Sequence, residues 1–322
     1  AFGFSRRVLT LPYCGLNDGE SVMKIELSGV FAPITTPFID EVLSIDQLKK
    51  NMLIYRKTAL SGYFALGSNG ENKSLDENEK MKVLDVIVQE KAKNQLVMAG
   101  GGYESTRRTI TSCRQLASAG ADLVSVLTPS YFKKSLTDKA LIGYYYDVAE
   151  ALSIPVVVYN APGFTGVEIS PKALGTISQH PNIIGMKDSS PYKYSQYIEV
   201  CDPKFQLLSG SISALFPALT LGAVGGVAAL ANAFPRACCQ LFEKVRTGDL
   251  TEARRLHFIL SRLNNAISGR FGVAGLKYAL DLAGLYGGLP RRPLLSLNND
   301  AKKMIREDID VSGILDLESD SI

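Results

Sequence analysis

Eight short β-rich runs, alternating with amphipathic helical segments, predict an α/β chain closed into a (β/α)8 TIM barrel with extra C-terminal helices. The runs recur about every 20 to 33 residues, which leaves room for one crossover helix between parallel neighbours. No GxGxxG follows the first run, and a total of eight favours a closed barrel over an open doubly wound sheet. A chain of 322 residues, 46% hydrophobic and 21% charged, is long enough to bury such a core.

In chain order the expected strands are 30–35, 62–66, 96–100, 123–128, 156–159, 183–187, 206–208 and 225–230. Each is apolar and bounded by turn formers, as a strand buried on both faces requires. The segments 77–91 and 105–119 carry helical periodicity between them. Beyond the eighth strand, 235–247, 251–268 and 274–283 read as three further helices, of which one completes the barrel and the other two form an appendage. The expected organisation is therefore an N-terminal extension (1–26), a catalytic barrel (27–234), a C-terminal helical segment (235–315) and an acidic tail (316–322) expected to be disordered. Residues 1–22 carry Arg6 and Arg7 with the turn formers Gly15, Asn17, Asp18 and Gly19. Asp18 and Glu20 speak against a transit peptide, so a nonessential extension ahead of Met23 is expected.

Composition excludes several function classes. The net charge of +3 arises from 35 basic and 32 acidic residues with no basic stripe, so nucleic acid is not an expected partner. The longest apolar run, 219–231, is rich in glycine and alanine, is broken by Asn232, and falls short of the roughly 18 residues that span a bilayer, so no membrane partner is expected. Five cysteines, Cys14, Cys113, Cys201, Cys238 and Cys239, form no CxxC pair, and no secretory signal is evident. That fits reduced thiols in an intracellular protein of the cytoplasm or mitochondrial matrix rather than a secreted one. His180 and His257 read as structural. With no HExxH and no His cluster, a metal site and a Ser-His-Asp triad lack their parts.

The chemistry points to Lys187, which closes the run Ile183-Ile184-Gly185-Met186 and precedes Asp188, Ser189 and Ser190. It falls at the carboxyl end of a barrel strand, where barrel enzymes place their reactive groups. Desolvation there favours the neutral amine, which attacks a ketone to form a Schiff base. The plain alternative is a lysine reaching for solvent or pairing with Asp188. At the tip of the fifth strand Tyr159 offers a proton shuttle for carbinolamine formation, or is a core tyrosine with a satisfied hydroxyl. After the second strand, Gly67-Ser68-Asn69-Gly70-Glu71 exposes backbone amides and the Ser68 hydroxyl to a carboxylate, or is an ordinary turn. Thr128-Pro129-Ser130-Tyr131-Phe132 and Ser209-Gly210-Ser211 bring further polar groups to the same face.

As an ordered set these motifs are specific. Thr35-Thr36-Pro37-Phe38, Gly67-Ser68-Asn69-Gly70-Glu71, Thr128-Pro129-Ser130-Tyr131, Tyr159-Asn160-Ala161-Pro162, Gly185-Met186-Lys187-Asp188-Ser189 and Gly222-Ala223-Val224-Gly225-Gly226 together resemble the dihydrodipicolinate synthase and N-acetylneuraminate lyase family of class I pyruvate aldolases, over residues 27–295. The resemblance implies Lys187 as the Schiff-base lysine and Tyr159 as the proton relay. It implies Ser68 and Asn69 as the carboxylate loop, and Tyr131 as a residue near a dimer contact that completes the relay. It also implies a homotetramer built as a dimer of dimers, and no cofactor beyond the covalent Schiff base.

One departure bears on substrate. The synthases of this family carry an arginine where this chain has Phe164, and an aromatic ring cannot clamp a carboxylate as a guanidinium does. Several stretches, including Ser178-Gln179-His180-Pro181-Asn182-Ile183 and Arg270-Phe271-Gly272, instead resemble 4-hydroxy-2-oxoglutarate aldolase. The expected reaction is cleavage of a small 2-oxo acid, 4-hydroxy-2-oxoglutarate, to pyruvate and glyoxylate. Ser189 and Asn69 face the far end of the substrate in this reading, and Gly210 and Ser211 line it. A 3-deoxy-hexulosonate aldolase, a dihydrodipicolinate synthase and a non-catalytic ligand-binding barrel are the alternatives.

Overall fold

The computed structural model describes residues 25–190 and 193–319. Its centre is a closed barrel of parallel strands: β1 (Gly29–Ala32), β2 (Gly62–Ala65), β3 (Leu96–Gly100), β4 (Leu123–Leu127), β5 (Val156–Asn160), β6 (Ile183–Asp188), β7 (Gln206–Ser209) and β8 (Gly225–Val227). Each pairs in parallel with its sequence neighbours, and β1 closes the ring against β8 through Gly29–Gly225 and Val30–Gly226. The predicted barrel and its C-terminal helices are what forms.

Alternation along the strands sorts side chains into two cores. Phe31, Phe64, Met98, Leu123, Val157, Tyr159, Leu208 and Val227 fill the barrel interior, while Val156, Val158 and Met186 belong to the larger core beneath the helices. The barrel floor is closed by Gln206, whose Oε1 accepts from the Leu27 amide (2.7 Å) and whose Nε2 donates to the Ile25 carbonyl (3.0 Å). Several of the crossover helices begin on side-chain caps. In helix α2 (Glu77–Glu90) Asp76 accepts from the Glu79 amide at 2.8 Å while the Asp76 amide donates to the Glu79 carboxylate at 3.1 Å.

Several expected boundaries shift for local reasons. The first strand ends at Ala32, because Pro33 has no N–H to give a ladder. The eighth ends at Val227 and turns into a 3₁₀ segment, Ala229–Asn232. Helix α10 (Leu250–Asn264) continues as a π-helical turn, Asn265–Gly269, and α11 (Arg270–Leu282) is broken at Gly272, which adopts φ 56 and ψ −140. A short hairpin, Phe38–Ile39 with Val42–Leu43, and a helix α12 (Asn299–Ser312) were not anticipated. The acidic tail expected to be disordered is helical over Ile314–Ser319, and residues 320–322 lie outside the described residues, as do residues 1–24 with the expected extension. Glu318 explains the tail's order. Its carboxylate accepts from the amides of Arg236 (3.2 Å) and Ala237 (2.8 Å), the orphan donors opening helix α9 (Pro235–Arg246), which has no side-chain cap of its own.

Candidate active site

A register shift in β6 builds the site. Val156 pairs with Ile183 but Val157 pairs with Gly185, so Ile184 is passed over and the alternation of β6 is reset. Without that shift Lys187 would face the helices, because a slip of one residue moves every side chain to the other face. With it, Lys187 lies directly opposite Tyr159 and Asp188 opposite Asn160. One pair points into the barrel mouth and the other out of it.

The inward pair is buried: Lys187 is 4% exposed. Its ammonium nitrogen lies 3.8 Å from the Tyr159 ring centroid and 4.6 Å from that of Phe64, and the two rings meet edge to face at 5.8 Å. Burial pushes the Tyr159 phenol up, but the charge of Lys187 and hydrogen bonds with Lys187, Ser68 and Ser189 outweigh it and hold the phenol below its ordinary range. A phenol moved toward neutrality is a better proton carrier. Ser68, Tyr159, Lys187 and Ser189 are thus brought together from three strand ends, and Asn69 lies half-buried on the same loop as Ser68.

The outward pair forms a brace. Asp188 accepts from Asn160 Nδ2 (2.8 Å), the Ser190 amide (3.1 Å) and the Ser190 hydroxyl (2.8 Å). Burial raises this carboxyl above its usual value despite those bonds. The Asn160 carbonyl accepts from the Ser189 amide (2.8 Å), and Asn160 Oδ1 from the Ile169 amide (3.2 Å). The plain alternative for Lys187, a pairing with Asp188, is not what forms, since neighbours along a strand face opposite ways.

The remaining predicted residues are placed differently. Gly210 gives its amide to the Asp188 carbonyl, and a Cβ there would come within 2.0 Å of Ser189 Oγ, so glycine permits the close approach of β7 to Ser189. The Ser211 hydroxyl caps helix α8 (Ile212–Thr220), accepting from the Ser213 amide at 3.2 Å. Tyr131 stands outside the buried group, 79% exposed and packed edge to face on Phe132, with its amide and that of Ser130 held by the Glu104 carboxylate. Phe164, on the short turn Pro162–Thr165, is 71% exposed. Sequence reasoning missed the brace of Asn160 and Asp188, the Phe64 ring under Lys187, and a buried pair between Glu71 and Lys277. Asn160, Glu71 and Asp188 stood inside the quoted motifs, but nothing in spacing distinguishes a bracing polar group from a binding one. Among the described residues no group of three or more His, Cys, Asp or Glu is disposed to hold a metal, and no helix is long and apolar enough to cross a membrane.

Comparison with known proteins converges on one family. A family model described as the dihydrodipicolinate synthetase family matches residues 26–311. The chain belongs to that family. A 4-hydroxy-tetrahydrodipicolinate synthase of Methanothrix thermoacetophila is 34% identical over 87% of this chain and 95% of its own length. A probable mitochondrial 4-hydroxy-2-oxoglutarate aldolase of Emericella nidulans is 33% identical over 87% of this chain and 93% of its own. Among solved structures, the chloride-inhibited dihydrodipicolinate synthase of Acinetobacter baumannii complexed with pyruvate superimposes with a TM-score of 0.85 at 27% identity, over 90% of this chain and 100% of that one. As a dihydrodipicolinate synthetase family member, the protein is a carbon–carbon lyase of the class I pyruvate-dependent aldolase type.

Proposed function

We propose that this aldolase cleaves 4-hydroxy-2-oxoglutarate to pyruvate and glyoxylate through a Schiff base on Lys187. The observation that carries the reading is the buried amine of Lys187 directly opposite the Tyr159 phenol on the inner face of the barrel. The neutral amine attacks the C2 ketone, and Tyr159 passes a proton to the departing carbinolamine oxygen, so that water leaves and a protonated imine remains. The C4 hydroxyl gives its proton to the Tyr159 phenolate left by that step, the C3–C4 bond breaks toward the imine, and glyoxylate departs from an enamine that the re-formed phenol protonates. Protonation at C3 and hydrolysis then return pyruvate and the free amine. The Ser68-Asn69 loop holds the pyruvyl carboxylate, and Ser189 meets the far carboxylate. Tyr131, exposed in the single chain, completes the relay from a second copy in a homotetramer.

The choice of aldehyde rests on Phe164. An exposed aromatic ring offers no guanidinium at the mouth, which weighs against the synthase reaction for which several relatives are named and toward the reaction for which the Emericella relative is named. Pyruvate release should be measured from 4-hydroxy-2-oxoglutarate, 3-deoxy-hexulosonates and N-acetylneuraminate side by side. The first is expected to be cleaved with the highest kcat/KM. A sugar acid cleaved faster would replace the substrate and leave the mechanism standing. Phe164→Arg is expected not to create condensation of pyruvate with aspartate semialdehyde, because one exposed guanidinium does not supply the other contacts. Robust product from that variant would count against the assignment of specificity to the wider mouth.

A further inference from the structure

The Gly67–Glu71 loop is held from outside the barrel. Leu66 (φ 58) and Glu71 (φ 52) bracket it, both in the left-handed region that side-chain-bearing residues seldom adopt. Such a loop keeps its shape only where its surroundings over-determine it. On one side the Thr36 hydroxyl donates to the Gly70 carbonyl at 2.6 Å. On the other, Glu71 Oε1 lies 2.6 Å from Lys277 Nζ, with the two side chains 1% and 0% exposed, and Glu71 Oε2 accepts from the Arg291 amide at 2.8 Å.

Lys277 belongs to α11, one of the helices beyond the barrel, and is itself fixed. Its ammonium donates to the Leu289 carbonyl at 2.9 Å and lies 4.5 Å from the Phe38 ring centroid. The segment carrying Leu289 and Arg291 is clamped in turn. A Cβ on Gly287 would come within 1.8 Å of the Lys277 carbonyl oxygen, the Tyr286 amide and carbonyl both bond the Asn51 side chain, and the Arg291 guanidinium meets both oxygens of Glu79 at 2.7 Å. A buried ion pair is a poor source of stability, since desolvation offsets its attraction, while its geometry is specific. This one ends two residues from Asn69.

We propose that the Glu71–Lys277 pair sets the shape of the carboxylate-binding loop, which makes Lys277 a positioning residue for the 2-oxo acid carboxylate. The proposal rests on the Schiff-base reading of the barrel mouth. Its chemistry stays with Lys187; Lys277 acts only through the loop.

Glu71→Gln combined with Lys277→Met removes both charges with little change in side-chain size, so no uncompensated charge is left buried. Thermal melting reports the fold, and borohydride trapping across a pyruvate titration, read by mass, reports carboxylate binding separately from Schiff-base competence. In the folded double variant the half-saturating pyruvate concentration is expected to rise roughly tenfold or more, with the trapped fraction at saturation near wild type. An unchanged half-saturation, even with a lower melting temperature, would mean the pair is structural only and overturns the proposal. Should the double variant not fold, Glu71→Asp, which keeps the counter-charge but draws the carboxylate back from Lys277 and the Arg291 amide, is judged by the same two readings. Wild-type protein that pyruvate and borohydride never trap would refute the Schiff-base reading itself, and this proposal with it.

Discussion

Lys187→Ala is expected to lower pyruvate release to below roughly one part in 10⁴ of wild type, the scale on which losing a covalent nucleophile acts. The same variant should give no mass adduct when reduced with borohydride in the presence of pyruvate. Lys277, also drawn into the core, cannot stand in, because its ammonium is committed to the Glu71 carboxylate and the Leu289 carbonyl. Alanine in place of Lys187 leaves the Phe64 and Tyr159 rings in edge-to-face contact, so the barrel is expected to remain folded. Wild-type-like cleavage, or an adduct that maps to another lysine, would end the proposed mechanism.

Tyr159→Phe is expected to reduce kcat by about 10² to 10⁴, the usual worth of a positioned proton-transfer group. The ring would still pack on Phe64 and under the Lys187 amine, so the loss isolates the hydroxyl from the packing. Because the amine survives, borohydride trapping should still reach completion, only more slowly. A kcat within about twofold of wild type would return Tyr159 to the role of a core residue whose hydroxyl serves packing alone.

The barrel was legible because its signals are local. Apolar runs at strand length, helical periodicity between them and caps such as Asp76 followed by Glu79 each act within a few residues. That Lys187, Tyr159 and Ser68 converge at the barrel mouth was legible for a related reason, since strand ends and the loops after them share one face of a barrel. Ser211 shows where such reading stops: its hydroxyl serves as a helix cap, and a serine at a helix start carries the same sequence signal whether it caps or binds. The tail was misread because its order depends on Glu318 reaching the orphan amides of α9, a contact between residues some eighty positions apart.

The sequence by itself determined the eight-unit barrel, the family and the place of Lys187 at a strand's carboxyl end, because these follow from periodicity, residue type and an ordered set of short motifs. Tertiary structure alone decided which way Lys187 points. A strand read as Ile183-Ile184-Gly185-Met186-Lys187 alternates in either register, and only its pairing with β5, shifted between Val156 and Val157, turns the amine inward to face Tyr159. The same holds for the Glu71 carboxylate. Its partner Lys277 lies more than two hundred residues along the chain, and a buried charge finds its counter-charge through packing, which no local pattern encodes.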